Sequence, residues 1–536
     1  MKRNLFVLAL LLSFVIPACA GDERHHHEDL TPDQLGTVHF PVSCAEPVQK
    51  PFERGVALLH SFWYEEAQKE FEDISQQDPQ CAMAYWGIAM SRWHQLWDHP
   101  KPDLIKSVNE QFAKAKDLKT PTDRERDYLA AIQTFYSGSE KLDHQKRAEA
   151  YSRAMEQMYT KYPEDREAAA FYALSLLASE PDNDTTFANR KRAAEVLEKL
   201  FAVEPNHPGV AHYLIHSYDK PQLAQLGLPA ARSYAKIAPA APHALHMPSH
   251  IFARLGLWQD DIDSNLASIA ATRKTAAMHM GGEGHQFHAM DFLVYAYLQS
   301  GREADAKKVI EEVQAMPEMP DMYGMGDPHL FGLTKFPADY ALELRHWSEA
   351  ANLQPVPKAV PTLHSVTYWA RAIGAARMGN VKQAKKDADE IKKIRKQLLT
   401  EKKNDFAEVI EQDHQEALAW IAHAEHKDNQ AAKILRKLAD KEESTGDEPE
   451  DIPAREMLAD MLLESNHPER ALAEYETDLK FNPNRFNGLY GAARAAEAAG
   501  KGQKANEYYA QLLKVCDGSQ SDRPELAKAK ELLAKK

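Results

Sequence analysis

The chain has 536 residues, which is more than one compact core holds and predicts either several domains or an extended array of repeats. Hydrophobic residues make up 44% of the sequence and charged residues 27%, a balance typical of folded globular proteins. The formal net charge is −15. This acidic balance argues against nucleic acid as the main partner, because binding to phosphates needs a basic surface.

The N-terminal segment has the pattern of an export signal. Two basic residues precede an apolar run over 5–16, which is too short to span a bilayer, and small residues follow it. We predict a signal peptide over 1–20 and leave two forms of processing open: cleavage after Ala20, or lipidation of Cys19, around which the sequence resembles a bacterial lipobox. Both predict an exported protein that is periplasmic, tethered to the outer membrane or secreted. The only membrane contact predicted is a lipid on Cys19.

A polar leader follows over 21–47. It contains the tract His25–His27, which leaves open a flexible spacer and a loose metal-binding segment. Cys44 and Cys81 precede two successive predicted helices. Because an oxidising compartment favours pairing, we predict a Cys44–Cys81 disulfide that closes a loop worth roughly 3–4 kcal/mol.

The rest of the chain predicts helices. Ala, Leu, Glu, Lys and Gln are abundant, and no sustained alternation of β-branched and polar residues indicates a strand. Helical apolar spacing covers 51–62 and again 64–77. Within this pair Gly55 allows close approach of the two helices and Phe71 fills the seam. Pro79 ends the pair, because proline cannot continue a helix interior.

The spacing of this pair recurs along the chain. Ala89 takes the place of Gly55 in the next pair, 34 residues later. The same spacing returns in three further pairs: Val294, Gly301 and Ala306; Ala372, Gly379 and Ala384; Ala493, Gly500 and Ala505.

This pattern resembles the tetratricopeptide repeat (TPR), a helix-turn-helix unit, over most of 48–515. The resemblance implies an all-α fold, an α-solenoid of TPR-like antiparallel helix pairs that stack because one pair cannot bury its apolar face alone. We predict a main TPR-like array over 48–440, an acidic linker over 441–454, and a C-terminal TPR pair with a terminal helix over 455–536.

In TPR proteins the first helix of each pair lines a concave groove. The register implied by the resemblance places histidines from five helices on that face: His60, His94, His212, His216, His243, His246, His250 and His288. Among them His60, His94 and His243, together with Trp86 and Tyr295, are the predicted groove residues for a ligand. Pro248 predicts a local kink that re-aims His246 and His250.

Three interpretations of the histidines stay open. They bind structural water in a polar groove, they bind a metal ion, or they recognise a peptide or small molecule. For a metal ion the predicted ligands are His212, His216, His246, His250 and His288, with Asp291 as a ligand or as the partner of one. Two pairs are four residues apart, the helical spacing that lets two imidazoles hold one ion.

The predicted cofactor is one divalent or copper ion of open identity, because imidazole suits zinc, copper, iron and nickel. One loop contains four methionines: Met316, Met319, Met322 and Met325. Their thioether groups are suitable ligands for copper, and the alternative is that they form an adaptable cover over the groove.

No sequence motif dictates a reaction. There is no phosphate-binding loop, dinucleotide fingerprint or serine-hydrolase elbow, and Tyr213 stands where a zinc protease carries glutamate. The predicted function is therefore an exported TPR binding or scaffold protein whose histidine-lined groove takes a peptide, a small molecule or a metal ion. The alternative is a metal-dependent enzyme built on the same solenoid.

Overall fold

The computed structural model describes residues 29–96, 99–115, 118, 122–181, 184–280, 283–318, 327–446 and 452–534. The predicted signal peptide, Cys19 and the tract His25–His27 lie outside these residues, as do three of the four loop methionines. All regular secondary structure in the described ranges is helical, which confirms the predicted all-α fold. In these ranges no helix combines the length and the apolar character needed to span a membrane.

The first helices are short or of medium length, and a 3-10 turn over Glu46–Val48 precedes the second. They are α1 (Pro32–Leu35), α2 (Gln49–His60), α3 (Tyr64–Gln77), α4 (Ala82–Ser91), α5 (Pro102–Ala115), α6 (Asp123–Tyr136), α7 (His144–Lys161), α8 (Arg166–Ala178) and α9 (Ala188–Phe201).

The middle helices carry the clustered histidines. They are α10 (Pro208–Tyr218), α11 (Ala224–Ile237), α12 (Pro242–His246), α13 (Pro248–Arg254), α14 (Trp258–Ala277), α15 (Glu283–Gln299), α16 (Glu303–Ala315), α17 (Pro328–Glu343) and α18 (Trp347–Asn352).

The last helices include the longest of the chain. They are α19 (Pro361–Arg377), α20 (Val381–Thr400), α21 (Asn404–Ala424), α22 (Asp428–Thr445), α23 (Ala454–Glu464), α24 (Pro468–Phe481), α25 (Phe486–Ala498), α26 (Gly502–Val515) and α27 (Pro524–Ala534).

Successive helices pack against each other along the chain, and short connections join most of them. The pair α2–α3 matches the prediction closely. A Cβ atom on Gly55 would lie 2.9 Å from the Phe71 ring, so the glycine is what allows α2 and α3 to approach. Gly301 takes φ +69° after α15, a left-handed conformation that suits glycine at the end of a helix. The stacked pairs form the predicted TPR-like α-solenoid.

The predicted disulfide is present. Cys44 and Cys81 are bonded across a separation of 37 residues and join the segment before α2 to the residue before α4. Cys516 is a buried free thiol.

The solenoid curls far enough for distant helices to meet. The turn after α10 reaches the end of α22, where Lys220 Nζ donates to the Gly446 carbonyl at 2.8 Å and Gln222 Nε2 donates to the Glu443 carbonyl at 2.5 Å. These contacts border a chamber of about 990 Å³. Its wall includes Arg254 from α13 and Trp369 from α19, so the chamber is shared by the middle and the last helices.

The C-terminal helices dock on the middle of the array through a buried arginine. Arg485, between α24 and α25, is fully buried and donates to Glu343 at 2.7 Å, Glu456 at 3.0 Å and the Tyr295 hydroxyl at 2.9 Å. The carboxylates belong to α17 and α23, so one side chain joins helices far apart in sequence. The predicted linker over 441–454 stays a prediction, since 447–451 lie outside the described residues.

Replacing Arg485 by methionine tests this docking contact. The change leaves two carboxylates buried without their cation, and we expect the free energy of unfolding to fall by about 3–5 kcal/mol. The measurement is a denaturant titration followed by circular dichroism.

The matched control is Arg126→Met. Arg126 pairs with Asp123, and these side chains are 51% and 75% exposed. Exposed pairs of this kind contribute about 0–1 kcal/mol, so the control should unfold almost as the wild-type protein does. Equal stability of the two variants would contradict the role assigned to Arg485.

Candidate metal centre

Seven histidines form one buried cluster where α10, α12, α13 and α15 meet: His212, His216, His243, His246, His250, His285 and His288. The position of α15 brings His285 to 5.0 Å from His243, and His288 to 4.4 Å from His246, between ring centroids. The sequence predicted six members of this cluster and missed His285.

Pro248 interrupts the helix as predicted, but the interruption does not direct His246 and His250 apart. Proline has no N–H to donate to the Ala244 carbonyl, and the helix divides at Met247 into α12 and α13. The chain continues in a helical direction across the break, so His246 and His250 still share one face. Their Nε2 atoms lie 3.1 Å apart.

The cluster contains two groups of three histidines whose ligand atoms converge. His212, His216 and His243 form the first triad, and His246, His250 and His288 form the second triad. Within each triad the ligand atoms lie within 4.8 Å of one another. The five histidines predicted as ligands of one ion are therefore divided between two triads: His212 and His216 join His243, whereas His246, His250 and His288 stay together.

Hydrogen bonds fix the ring of His212 in the first triad. Its Nδ1 lies 2.7 Å from the backbone carbonyl oxygen of His60, which can only accept, so Nδ1 carries the hydrogen. The neutral ring then has its lone pair on Nε2. The Nε2 atoms of His216 and His243 each lie 3.1 Å from that atom. Two rings thus converge on a nitrogen that can accept only one hydrogen.

The second triad is fixed in the same way, by an amide and a carboxylate. His246 Nδ1 lies 2.7 Å from Asn265 Oδ1, and the Asn265 amide group is oriented because its Nδ2 donates to Asp261 Oδ1 at 2.6 Å. The Ser249 hydroxyl lies farther from the same Nδ1, at 3.3 Å. The acceptor of Asn265 therefore places the hydrogen of His246 on Nδ1.

His250 is oriented by Asp219. Its Nδ1 donates to Asp219 Oδ2 at 2.8 Å, while Arg254 Nε donates to Asp219 Oδ1 at 3.0 Å. Burial alone would raise the pKa of Asp219, but Arg254 and His250 lower it well below its usual value, so the carboxylate is ionised. The Nε2 atoms of His246 and His250, each opposite an Nδ1 that donates to another group, face each other at 3.1 Å.

Burial disfavours the protonated forms of His212, His246 and His288. Burial lowers the pKa of His212 and of His288 to about 3. Burial, and then the neighbouring rings of His288 and His250, lower the pKa of His246 well below its usual value. Neutral imidazoles with converging lone pairs are the state in which histidine binds metal ions. A tetrahedral ion with bonds of about 2.0–2.1 Å would hold its nitrogens roughly 3.3–3.4 Å apart, close to the spacings found here.

A third converging group has a different character. His60 Nε2 donates to Glu167 at 2.8 Å, and His207 Nε2 donates to the other oxygen of Glu167 at 2.9 Å. The remaining His60 nitrogen accepts from the Tyr213 hydroxyl at 2.8 Å, and that of His207 accepts from the Val210 N–H at 3.3 Å. Both nitrogens of both rings therefore have hydrogen-bond partners, and this group is a structural network.

Gly209, at the start of α10, leaves space for the His60 ring of this network. A Cβ atom at this position would lie 2.4 Å from His60 Nδ1, closer than real side chains approach. The glycine thus lets α10 pack directly on the ring of His60, whose carbonyl orients His212.

The other predicted groove residues do not line a ligand site. Trp86 is 1% exposed and packs in the core against Phe40 and Phe171, because α4 is apolar on nearly every side. The Tyr295 hydroxyl is bound to Arg485, and His60 belongs to the structural network. Burial and the observed contacts therefore contradict the groove positions predicted for Trp86, Tyr295 and His60.

The last two predicted residues lie near the cluster without joining a triad. The His94 ring is partly exposed and packs 4.5 Å from that of Tyr64. Asp291 is buried and paired with Lys335 Nζ at 3.3 Å, and it is not a member of the second triad. His243, predicted for an organic ligand, instead completes the first triad.

Sequence reasoning missed the residues that orient the rings. Asp219 follows α10 in a turn, and no periodic signal marks it. Asp261 and Asn265 belong to a polar stripe on α14, continued by Ser268 and Thr272, and all four are fully buried. This spacing of polar residues on one helical face was a readable signal, since buried polar side chains are normally hydrogen-bonded.

Comparisons with known proteins give no family. No protein-family model matches the chain, and no curated protein matches it. Among solved structures, the human IFIT1 dimer with m7Gppp-AAAA is 14% identical, over 81% of this chain and 90% of that one, with a TM-score of 0.34. The APC/C hetero-tetramer Cut9-Hcn1 is 10% identical, over 77% and 84%, with a TM-score of 0.27. Such loose similarity carries no property of these proteins over to this chain.

The hydrogen bonds predict opposite tautomers in neighbouring histidines. In the metal-free protein at neutral pH, His212, His246 and His250 should carry hydrogen on Nδ1, whereas His60 and His207 should carry it on Nε2. Long-range proton–nitrogen NMR spectra of histidine-labelled protein distinguish the two forms. His60 and His207 serve as internal controls, and Nε2–H on His246 or His250 would contradict the arrangement of the second triad.

Proposed function

We propose that this chain is an exported TPR-like solenoid protein that binds one first-row transition-metal ion at the second triad, His246, His250 and His288. The observation that carries the proposal is the 3.1 Å approach of the Nε2 atoms of His246 and His250, each with its hydrogen held at Nδ1 by another group. Two lone pairs at this distance repel each other unless a cation lies between them.

A metal ion suits this position better than a proton. A shared proton would join only His246 and His250, and burial lowers the pKa of His246 well below its usual value. A bound ion accepts both lone pairs and that of His288 as well. The hydrogen bonds from Nδ1 to Asn265 and Asp219 are the kind that orient histidine ligands and raise their basicity. Neutral imidazole suits zinc, copper, nickel and iron, so the ion is one of these.

The solenoid supplies the frame for a ligand. Arg254, which holds Asp219 and through it His250, also lines the chamber of about 990 Å³. The wall of the chamber is therefore linked to the second triad through Arg254 and Asp219, although no ligand of the triad lines it. The chamber is large enough for a peptide segment or a small molecule. Export is supported by the signal pattern over 1–20 and by the Cys44–Cys81 disulfide, since such bonds persist in oxidising compartments.

Metal analysis tests the proposal directly. Protein that begins at Glu28, and so lacks the leader histidines, is loaded with zinc, dialysed and measured by mass spectrometry. His250→Ala should hold one ion fewer than the wild-type protein, because it removes a ligand from the second triad.

His423→Ala is the matched control. His423 is a partly buried histidine bound to Asp428 and Glu464, away from the cluster. It should retain the full metal content of the wild-type protein. An unchanged metal content in His250→Ala, or no metal in the wild-type protein after loading with zinc, copper, nickel and iron, would refute the proposal.

A second function, metal-dependent catalysis, is favoured by one specific observation. Three protein ligands leave a coordination position open, as in catalytic zinc sites, and His288 is partly exposed. Cobalt-substituted protein provides the test. If the position is open, azide should change the visible absorption spectrum of the cobalt ion, and His250→Ala should lose this response. A spectrum that azide leaves unchanged would indicate a closed structural site and argue against catalysis.

A further inference from the structure

We infer that a second transition-metal ion binds at the first triad, His212, His216 and His243, so that the two triads form a two-ion centre. The second site stands on its own ligands and goes beyond the single ion proposed above. The pairing of the two ions rests on the proposed function, because it requires both sites to be filled.

The first triad presents a hydrogen-bonding conflict of its own. The His60 carbonyl holds the hydrogen of His212 at Nδ1, so His212 Nε2 has one lone pair and nothing to donate. Both His216 Nε2 and His243 Nε2 lie 3.1 Å from it. At most one of these two contacts is a hydrogen bond, and the other would be a repulsive contact between nitrogens. An ion at the centre resolves the conflict by accepting one lone pair from each ring.

The contrast with the structural network supports this assignment. His60, His207 and Glu167 also converge within 4.8 Å, yet each ring nitrogen there faces a group of the opposite hydrogen-bonding kind. That network is complete without an ion. The first triad differs in composition too, since it contains imidazoles alone and no carboxylate that could take up their hydrogens.

The two triads are close enough to act as one centre. Across them the ring centroids of His243 and His246 are 6.1 Å apart, and those of His216 and His250 are 6.4 Å apart. The widest separation inside a triad is also 6.4 Å, between His216 and His243. The rings of different triads are therefore neighbours in the same sense as rings of one triad, and α12 contributes one ligand to each.

The partly exposed rings indicate where an external ligand enters. His216 in the first triad and His288 in the second are the members that retain contact with solvent. Six imidazole ligands bring no negative charge to balance two cations. Asp219 is already engaged by Arg254, and Asp291 by Lys335. The ligand class that fits is an oxygen anion, either hydroxide or a small oxyanion, bound to both ions.

Metal counting separates the two triads. Zinc-loaded wild-type protein should hold two ions per chain, His243→Ala one, His250→Ala one, and the double variant none. Because His243 is buried and its loss could disturb folding, His216→Gln provides a second variant of the first triad, at a partly exposed ring. Circular dichroism checks that each variant is folded, and His423→Ala should keep both ions.

Copper(II)-loaded protein then reports on the distance between the two ions. Wild-type protein should give an electron paramagnetic resonance spectrum broadened by coupling between two ions, and each single-triad variant should give the sharp spectrum of isolated copper. One ion in the wild-type protein that is lost in His250→Ala and kept in His243→Ala and His216→Gln would overturn the inference while leaving the proposed function intact. Two ions without coupling would overturn the two-ion centre. No ion in the wild-type protein would overturn both proposals.

Discussion

A buried imidazole ring has two nitrogen atoms that each need a partner, and this constraint governs the middle of the solenoid. For three of the six triad rings the Nδ1 position is settled by a group outside the cluster. A backbone carbonyl holds His212, an amide holds His246, and a carboxylate holds His250. These bonds orient the rings and leave the opposite nitrogens pointing at one another. Groups at the periphery of the cluster thus determine the orientation of these rings.

The same constraint has two solutions within a few residues of each other. Around Glu167 an ionised carboxylate collects two histidines, and its pKa is lowered by them although burial alone would raise it. That arrangement is closed and joins α2, α8 and α10. Beside it, His212 takes only a carbonyl at one nitrogen and leaves the other free for coordination. The His60 residue participates in both, with its side chain in the first and its backbone in the second.

The helical framework could be predicted because apolar spacing and small residues recur along the chain. The bounds of α2 and α3 follow closely from that pattern, and the pairs at four-residue spacing reveal which histidines share a face. The division into two triads could not be predicted. The break at Met247 follows from Pro248 and could be predicted, but the position of α15 beside α12 and α13 is not a local property of the sequence. Trp86 was misplaced because an apolar helix is buried on every side and has no groove face to identify.

Gly209 has a consequence that reaches beyond its own helix. The position bears no polar group and contacts no ligand, yet the absence of a side chain there sets the distance between α2 and α10. That distance determines where the His60 carbonyl of α2 lies relative to the His212 ring of α10. The arrangement of the histidine cluster therefore depends on the space left by the absence of a Cβ atom at Gly209. Gly209 carries no charge and no ligand atom, yet the orientation of His212 depends on the space that it leaves between the two helices.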